Sequence, residues 1–200
     1  MSDAEIELFI RGHLRAGDIA IDVGANSGRF SLVMGEAVGR HGRVFAFEPA
    51  DEPRAILTQL APPQVEILPL AVAESCGFRS FHIDMRPKLG HVASSLFVLD
   101  DIATQTVERT VECTTLDVFC AERHIAPTLI KVDAEGADPL VLAGAHGVID
   151  AHRPAIVYEL WETWWDRGHA DLWTKLERDY DLRRMPAGAD VSNVVATPRK

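Results

Sequence analysis

Residues 19–28 read Ile-Ala-Ile-Asp-Val-Gly-Ala-Asn-Ser-Gly and join a short apolar run to a turn that contains two glycines. After this turn, apolar residues recur at Phe30, Val33 and Met34, the spacing of one face of a helix. The stretch therefore predicts a strand, a glycine turn and a helix, the unit from which open α/β sheets are built. In such sheets ligands bind at the carboxyl ends of the strands, so this turn is also the first candidate for a binding site.

The rest of the chain repeats this alternation of strands and helices. Apolar runs predict further strands at residues 43–49, 65–72, 78–83, 128–132 and 154–160, and a closing hairpin at 182–186 and 191–197. Right-handed crossovers then give a mainly parallel sheet that is covered by helices on both faces, with the hairpin as an antiparallel edge. We expect a single domain over residues 1–200, with an N-terminal helix in 1–16 and the α/β core in 17–197.

Charge and cysteine content narrow the possible partners. The chain has 30 Asp and Glu against 20 Lys and Arg, so we expect no nucleic-acid partner, since binding to phosphates depends on basic side chains. Its three cysteines are an odd number without a Cys-x-x-Cys pair, which favours the reduced cytoplasm. No segment reaches the roughly 20 apolar residues that cross a bilayer, so we expect no membrane partner. The sequence carries no signal for an oligomeric state.

The glycine turn predicts recognition of a nucleoside. Its order is G-x-N-x-G, whereas a dinucleotide fold offers G-x-G-x-x-G and receives a pyrophosphate on backbone amides. Asp22, at the strand end, suits the cationic amino acid part of S-adenosylmethionine, and the loop amides suit its carboxylate. We therefore expect Asp22, Gly24, Ala25, Asn26 and Gly28 to bind the cofactor. The alternative is a plain tight turn.

Glu48 ends the second predicted strand, 24 residues after Gly24. Nucleoside-binding α/β folds place there the acid that accepts hydrogen bonds from the ribose hydroxyls. Pro49 restricts Glu48 to extended conformations and so helps to hold its carboxylate. Ala71, at the end of the third predicted strand, is expected to pack on the adenine ring. The alternatives are that Glu48 caps the next helix and that Ala71 belongs to the ordinary core.

Three acids follow directly after the predicted strand 128–132: Asp133, Glu135 and Asp138. This is the rim where reacting groups sit in such a fold. Asp133 is the candidate base or acceptor-orienting group, and Glu135 is a candidate for contact with the acceptor or the cofactor. Alternatively, Glu135 and Asp138 stabilise the start of the following helix. Glu159, at the end of a further strand, is expected to point into the same cleft.

His91 is a second candidate base, because imidazole titrates near neutral pH, although a surface position in a loop explains it as well. Asp133, Glu135, Glu159 and His91 have the oxygen-rich chemistry that suits a divalent cation. No ligand spacing in the sequence demands such an ion, so we expect no metal.

Seven short segments make the chain similar to the FkbM family of methyltransferases, over about residues 17–196. They are residues 21–28, 45–49, 70–72, 94–96, 114–117, 130–138 and 153–160. The most specific, 130–138, reads Ile-Lys-Val-Asp-Ala-Glu-Gly-Ala-Asp and resembles the family signature IKIDVEGAE. Ala134 and Asp138 stand where valine and glutamate are more usual.

The resemblance implies a class I methyltransferase fold, a Rossmann-like three-layer sandwich, with S-adenosylmethionine as the donor. It also implies O-methylation of a hydroxyl group on a sugar or a secondary metabolite. Glu48 would then hold the ribose, and Asp133 would face a small-molecule acceptor. Two other functions are compatible with the residues. One is a non-catalytic module that binds S-adenosylmethionine within a biosynthetic assembly; the other is a nicotinamide-dependent oxidoreductase, which needs donors for a pyrophosphate.

Overall fold

The computed structural model describes residues 3–85, 94–97, 106–161, 170–186 and 191–200. The helices are α1 (Asp3–His13), α2 (Arg29–Val38), α3 (Asp51–Leu60), α4 (Leu116–Arg123), α5 (Asp138–Ala143), α6 (His146–His152) and α7 (Ala170–Asp179). The strands are β1 (Ile19–Val23), β2 (Arg43–Phe47), β3 (Val65–Leu68), β4 (Ala71–Val72), β5 (Gly77–Asp84), β6 (Thr106–Thr114), β7 (Leu129–Val132), β8 (Ala155–Trp161), β9 (Tyr180–Pro186) and β10 (Val191–Pro198). None of the helices within these ranges is long and apolar enough to cross a bilayer.

Seven strands form the main sheet, in the order β3-β2-β1-β7-β8-β10-β9. Strands β3, β2, β1, β7 and β8 are parallel, whereas β10 pairs antiparallel with both β8 and β9. The predicted mainly parallel sheet with an antiparallel C-terminal hairpin is therefore confirmed. In the register of this sheet, Val23 at the end of β1 lies beside Phe47 of β2 and Val132 of β7. The residues that follow these three strand ends consequently meet at one edge of the sheet.

The sheet separates two layers of apolar side chains, because successive residues of a strand point to opposite faces. On one face, Ile21 of β1 packs in a cluster with Phe119 of α4 and Leu176 of α7. On the other face, Ala20 of β1 belongs to a cluster with Met34 of α2. Helices α4 to α7 thus cover one side and α1 to α3 cover the other, which gives the three layers expected from the sequence.

The segment between β3 and α4 differs from the prediction. Residues 65–72, predicted as one strand, form two: β3 pairs with β2 in the main sheet, and β4 joins a second sheet in the order β4-β6-β5. Pro69 lies between them and has no N–H to donate to a ladder, which accounts for the break. Strand β6 was not predicted, because most of its residues are exposed or half-buried and carry no clear apolar pattern.

Candidate functional site

Three chain segments converge at the ends of β1, β2 and β7. The N–H groups of Gly24 and Ala25 both donate to the Phe47 carbonyl, at 3.1 and 3.0 Å, and the Asp133 N–H donates to the Val23 carbonyl at 3.1 Å. Gly24 has a φ of 73°, and a Cβ there would lie 1.8 Å from the backbone oxygen of Asp133. Only glycine allows this approach, so the glycine turn and the Asp133 segment are in direct backbone contact.

A cavity opens at this junction, with an empty volume of about 760 Å³ that includes the part open to solvent. Seven residues predicted as site residues line it: Gly24, Asn26, Glu48, Pro49, Ala71, Asp133 and Glu135. Ser94 and a set of apolar side chains also line it, the latter being Val23, Phe47, Leu70, Val72, Phe81, Leu96, Ala134 and Ala137. The cavity therefore combines a mainly apolar surface with three carboxyl groups, an arrangement typical of small-molecule sites.

Glu48 is buried, and backbone groups fix its carboxylate at the wall of this cavity. One oxygen, Oε2, accepts a hydrogen bond from Asn26 N–H, and Oε1 accepts one from Ala50 N–H, both at 2.8 Å. Burial raises the pKa of Glu48, while these two hydrogen bonds act in the opposite direction. Since Ala50 immediately precedes α3, Glu48 both tethers the start of that helix and presents a carboxylate to the cavity.

The amides of the glycine turn are already used within the protein. Gly24 and Ala25 donate to Phe47, Asn26 donates to Glu48, Ser27 donates to the Asn26 side chain at 2.6 Å, and Gly28 donates to the Ala25 carbonyl at 2.8 Å. In this structure the amides are therefore engaged within the protein, and their contact with the carboxylate of the cofactor stays a prediction. Their role is to shape the turn and to orient Glu48.

Three of the predicted cofactor residues lie behind the turn and do not line the cavity. The side chain of Ala25 is buried. Gly28 has a φ of 96°, and a Cβ there would lie 2.2 Å from Leu57 Cδ1, so packing of α3 requires a glycine. Asp22 is fully buried, and its Oδ2 accepts a hydrogen bond of 2.6 Å from the Ser31 hydroxyl of α2. These residues support the turn from within the core.

Lys131 is a central residue of the site for which the sequence predicted no role. Its side chain is only 3% exposed, and its Nζ lies 3.3 Å from Asp22 Oδ1 and 3.2 Å from Asp133 Oδ2. Burial alone would lower the pKa of Lys131, but the charges of Asp133 and Asp22 outweigh burial and raise it. The available signal was a lysine in the middle of the otherwise apolar strand β7, because a buried cation needs partners.

Asp133 and Glu135 both line the cavity but differ in environment. The Asp133 side chain is 37% exposed and is in contact with the Lys131 ammonium group. Glu135 has a left-handed φ of 51°. Burial, together with the negative charges of Asp133 and Glu159, raises the pKa of Glu135 well above its ordinary value. The pair thus offers a carboxylate that is neutralised by a lysine beside a carboxyl group that keeps its proton at neutral pH.

Asp138 is fully buried and does not line the cavity. Its Oδ2 accepts a hydrogen bond from Ala134 N–H at 3.1 Å, and its Oδ1 accepts one from Glu159 N–H at 2.9 Å. Burial and the nearby charges of Asp133 and Glu159 raise the pKa of Asp138 to about 7. The carboxyl group therefore connects the loop after β7 to β8, a structural role that differs from the predicted alternative of stabilising the start of the following helix.

Ser95 is a second residue for which the sequence predicted no role. It is buried, its backbone forms two hydrogen bonds with His82 of β5, and its hydroxyl donates to the Glu135 carbonyl at 2.8 Å. The second sheet is thereby attached to the loop that carries Glu135. His91, the alternative base, lies outside the described residues. Within the part of the chain that the structure describes, no group of three or more His, Cys, Asp or Glu residues is arranged to hold a metal ion.

The chain matches a known protein family over most of its length. The model of the methyltransferase FkbM domain matches residues 22–183, which include the glycine turn, Glu48 and the whole segment after β7. The chain belongs to the FkbM methyltransferase family. No curated protein matches the chain.

Solved structures share the fold of this FkbM domain at low sequence identity. A methyltransferase FkbM from Methylobacillus flagellatus KT matches with a TM-score of 0.61 and 18% identity, over 92% of this chain and 45% of that one. The present chain thus spans less than half of the length of that relative. A putative rRNA methylase from Clostridium thermocellum matches with a TM-score of 0.58 and 12% identity, over 98% of this chain and 95% of that one.

A fibrillarin from Aeropyrum pernix, in complex with natively bound S-adenosyl-L-methionine, matches with a TM-score of 0.53 and 12% identity, over 97% of this chain and 74% of that one. At such identities these matches establish the fold alone, which is the class I Rossmann-like methyltransferase fold. The predicted fold class and family are therefore confirmed.

Proposed function

We propose that this chain is an S-adenosylmethionine-dependent methyltransferase that methylates a hydroxyl group of a small molecule. The observation that carries the proposal is that Glu48 and Asp133, which follow β2 and β7, line one cavity on either side of Gly24. The first carboxylate has the position expected for a ribose contact, and the second has the position expected for a group that faces the acceptor. Membership of the FkbM family supports this assignment.

The residues of the cavity fit the donor. The Glu48 oxygens each use one acceptor site on a backbone N–H and have further lone pairs for two adjacent hydroxyl groups. Leu70, Ala71 and Val72 offer an apolar surface for a purine ring. A nicotinamide dinucleotide fits less well, because its pyrophosphate needs amides at the start of α2 and no residue of α2 lines the cavity.

The chain's own residues would act mainly by positioning and by moving one proton. Bound S-adenosylmethionine supplies a methyl group on a positively charged sulfur. Asp133 would accept the proton of the acceptor hydroxyl as its oxygen bonds to the methyl carbon and the carbon–sulfur bond breaks, which leaves S-adenosylhomocysteine; Lys131 would stabilise the Asp133 carboxylate in that orientation. Glu135, which keeps its proton at neutral pH, would donate a hydrogen bond to the acceptor or to the amino acid end of the donor.

The charge of the chain favours a small acceptor over a nucleic acid. One of the solved structures with this fold is named a putative rRNA methylase, but the present chain has a formal net charge of −10. The carboxylates of Glu48 and Asp133 line its cavity. Both features oppose the approach of a phosphate backbone, whereas a hydroxyl group on a sugar or secondary metabolite carries no such charge.

The test is an acceptor screen with methyl-labelled S-adenosylmethionine, in which mass spectrometry detects labelled product together with S-adenosylhomocysteine. The panel should contain sugars, hydroxylated polyketides and a short RNA. We expect transfer to a neutral hydroxyl compound, and Asp133→Asn should lower turnover by about 10²- to 10⁴-fold while leaving the Kd of the donor nearly unchanged. Donor binding without transfer to any compound would favour the non-catalytic module, and methylation of the RNA alone would contradict a small acceptor.

A further inference from the structure

Lys131 is an unusual residue for its place in the fold. It lies on β7, a central strand whose four residues are all buried, and its direct neighbour across the ladder is Asp22 of β1. Replacing a buried ion pair by apolar residues of similar volume often leaves a protein equally stable or makes it more stable. The demands of folding alone therefore do not explain a charged pair at this position.

Three neighbouring groups hold the Lys131 ammonium group in place. Its Nζ lies between Asp22 Oδ1 and Asp133 Oδ2, and it stands 4.8 Å from the centre of the Phe30 ring, on whose face a cation is stabilised. Asp22 is held in turn by the Ser31 hydroxyl. Asp22, Phe30 and Ser31 are buried, whereas Asp133 is 37% exposed, so this chain of contacts runs from the core to the surface of the cavity.

That exposed end is the carboxylate which lines the cavity. Asp133 follows β7 directly, and its backbone N–H donates to the Val23 carbonyl, while its carboxylate is in contact with the Lys131 ammonium group. Because the Lys131 ammonium group is held by Asp22 in the core, it determines where Asp133 Oδ2 can lie. Within the described part of the chain no contact of the second oxygen is seen, and a group in the cavity can bind it.

We propose that Lys131 is a positioning residue that holds the Asp133 carboxylate at the point of methyl transfer, with Asp22 as the buried counterion that keeps the lysine in place. This inference rests on the proposed function, since it takes Asp133 to face the transferred group. It differs from a purely neutralising role in one respect. If Lys131 only offset the charge of Asp133, its removal would make the cavity more attractive to a cation, whereas loss of positioning makes it less attractive.

Two donor analogues separate these cases without any acceptor. Sinefungin carries a protonated amine where the donor has its methylated sulfur, and S-adenosylhomocysteine carries an uncharged sulfur there. The ratio of their Kd values cancels any loss of binding that both ligands share. In the wild type, a positioned carboxylate should favour sinefungin by about tenfold, because a charge-assisted hydrogen bond contributes on that scale. Asp133→Asn should remove this preference.

The decisive variant is the double substitution Lys131→Met with Asp22→Asn, which leaves no unpaired buried charge and so protects the fold. We expect it to lose the sinefungin preference of the wild type, as Asp133→Asn does. A preference equal to or greater than that of the wild type would overturn the inference. Lys175→Met removes a lysine that pairs with Asp150 on the helical surface and controls for loss of a lysine in general.

Results with the wild type test the proposed function separately. If the wild type binds neither analogue, the proposed donor site is wrong; if it binds both equally, the assigned position of Asp133 is wrong. In either case the inference about Lys131 is wrong as well. A wild-type preference that Asp133→Asn abolishes but the double variant retains would leave the proposed function intact and refute the role of Lys131 alone.

Discussion

The two ends of the cavity hold their carboxylates by different means. At the end of β2, Glu48 is fixed by the backbone N–H groups of Asn26 and Ala50. At the end of β7, Asp133 is held by the Lys131 side chain, in a loop where Glu135 and Asp138 crowd together with raised pKa values. Backbone amides are a permanent part of a turn, whereas a lysine and neighbouring acids respond to substitution and to pH.

This difference matches the tasks proposed for the two ends. A ribose contact has to be the same in every binding event, and two backbone donors provide a constant geometry. A group that accepts a proton needs an environment that favours its charged form beside one that retains a proton, which is how neighbouring acids are given separate roles. The comparison predicts that the β7 end is sensitive to charge and pH, and that the β2 end is sensitive mainly to the shape of the turn.

The largest effect on stability is expected from Lys131→Met. This change leaves Asp22 charged and fully buried without its cation, which should lower the free energy of unfolding by about 3 to 5 kcal/mol. Adding Asp22→Asn should recover most of that loss, because the buried charge is then gone. Urea denaturation measures the free energy of unfolding of the single variant Lys131→Met and of the double variant with Asp22→Asn. Equal values for the two would show that Asp22 and Lys131 are not coupled.

The shape of the turn is tested by Gly24→Ala. A Cβ at this position overlaps the Asp133 backbone oxygen, and the residue has a positive φ, so we expect a loss of about 3 kcal/mol in the free energy of unfolding. Gly17→Ala is the matched control, since Gly17 also has a positive φ, of 94°, but no atom lies within 4 Å of the added Cβ. It should cost about 1 kcal/mol. If the two variants lose the same free energy of unfolding, the close approach of Gly24 to the Asp133 backbone does not contribute to stability.

A smaller effect than that of Gly24→Ala is expected for the pH dependence that Asp138 contributes. In the unfolded chain its carboxyl group titrates near 4, whereas in the fold its pKa is raised to about 7. Between these values the folded protein retains a proton that the unfolded chain has lost, so the contribution of Asp138 to stability is lost as the pH rises through this window.

We therefore expect the wild type to lose about 2 kcal/mol relative to Asp138→Asn when the pH is raised from 5 to 8. Denaturation curves of both proteins at the two pH values provide the difference. A difference that does not change with pH, or that changes in favour of the wild type, would mean that Asp138 is ionised in the fold throughout this range.

Local residue patterns were sufficient to predict the sheet and the β2 end of the site. The glycine turn, Glu48 and Asp133 each follow an apolar strand directly, so their position at the sheet edge is a consequence of strand direction. The break at Pro69 and the course of β6 were not predictable in the same way. Strand β6 is mostly exposed, and β4 gains its partner, β6, only through the second sheet.

The residues that were missed act through contacts between distant parts of the chain. Lys131 meets Asp22 because β7 lies beside β1, and Ser95 meets Glu135 because the second sheet lies against the loop after β7. Each was visible as a residue type in the sequence, but its partner depends on strand order and on packing. The internal partners of the turn amides were hidden for a related reason, since their acceptors are Phe47 and Glu48 of the next strand segment and groups within the turn itself.

The central claim, that this cavity binds S-adenosylmethionine with Glu48 on the ribose, is tested most directly by isothermal titration calorimetry. The wild type and Glu48→Ala should each be titrated with S-adenosylmethionine, S-adenosylhomocysteine and NAD. We predict that the wild type binds the two sulfur nucleosides and not NAD, and that Glu48→Ala binds them about tenfold to a hundredfold more weakly, or by about 1.5 to 3 kcal/mol. Binding of NAD alone, or an affinity that Glu48→Ala leaves unchanged, would contradict the account.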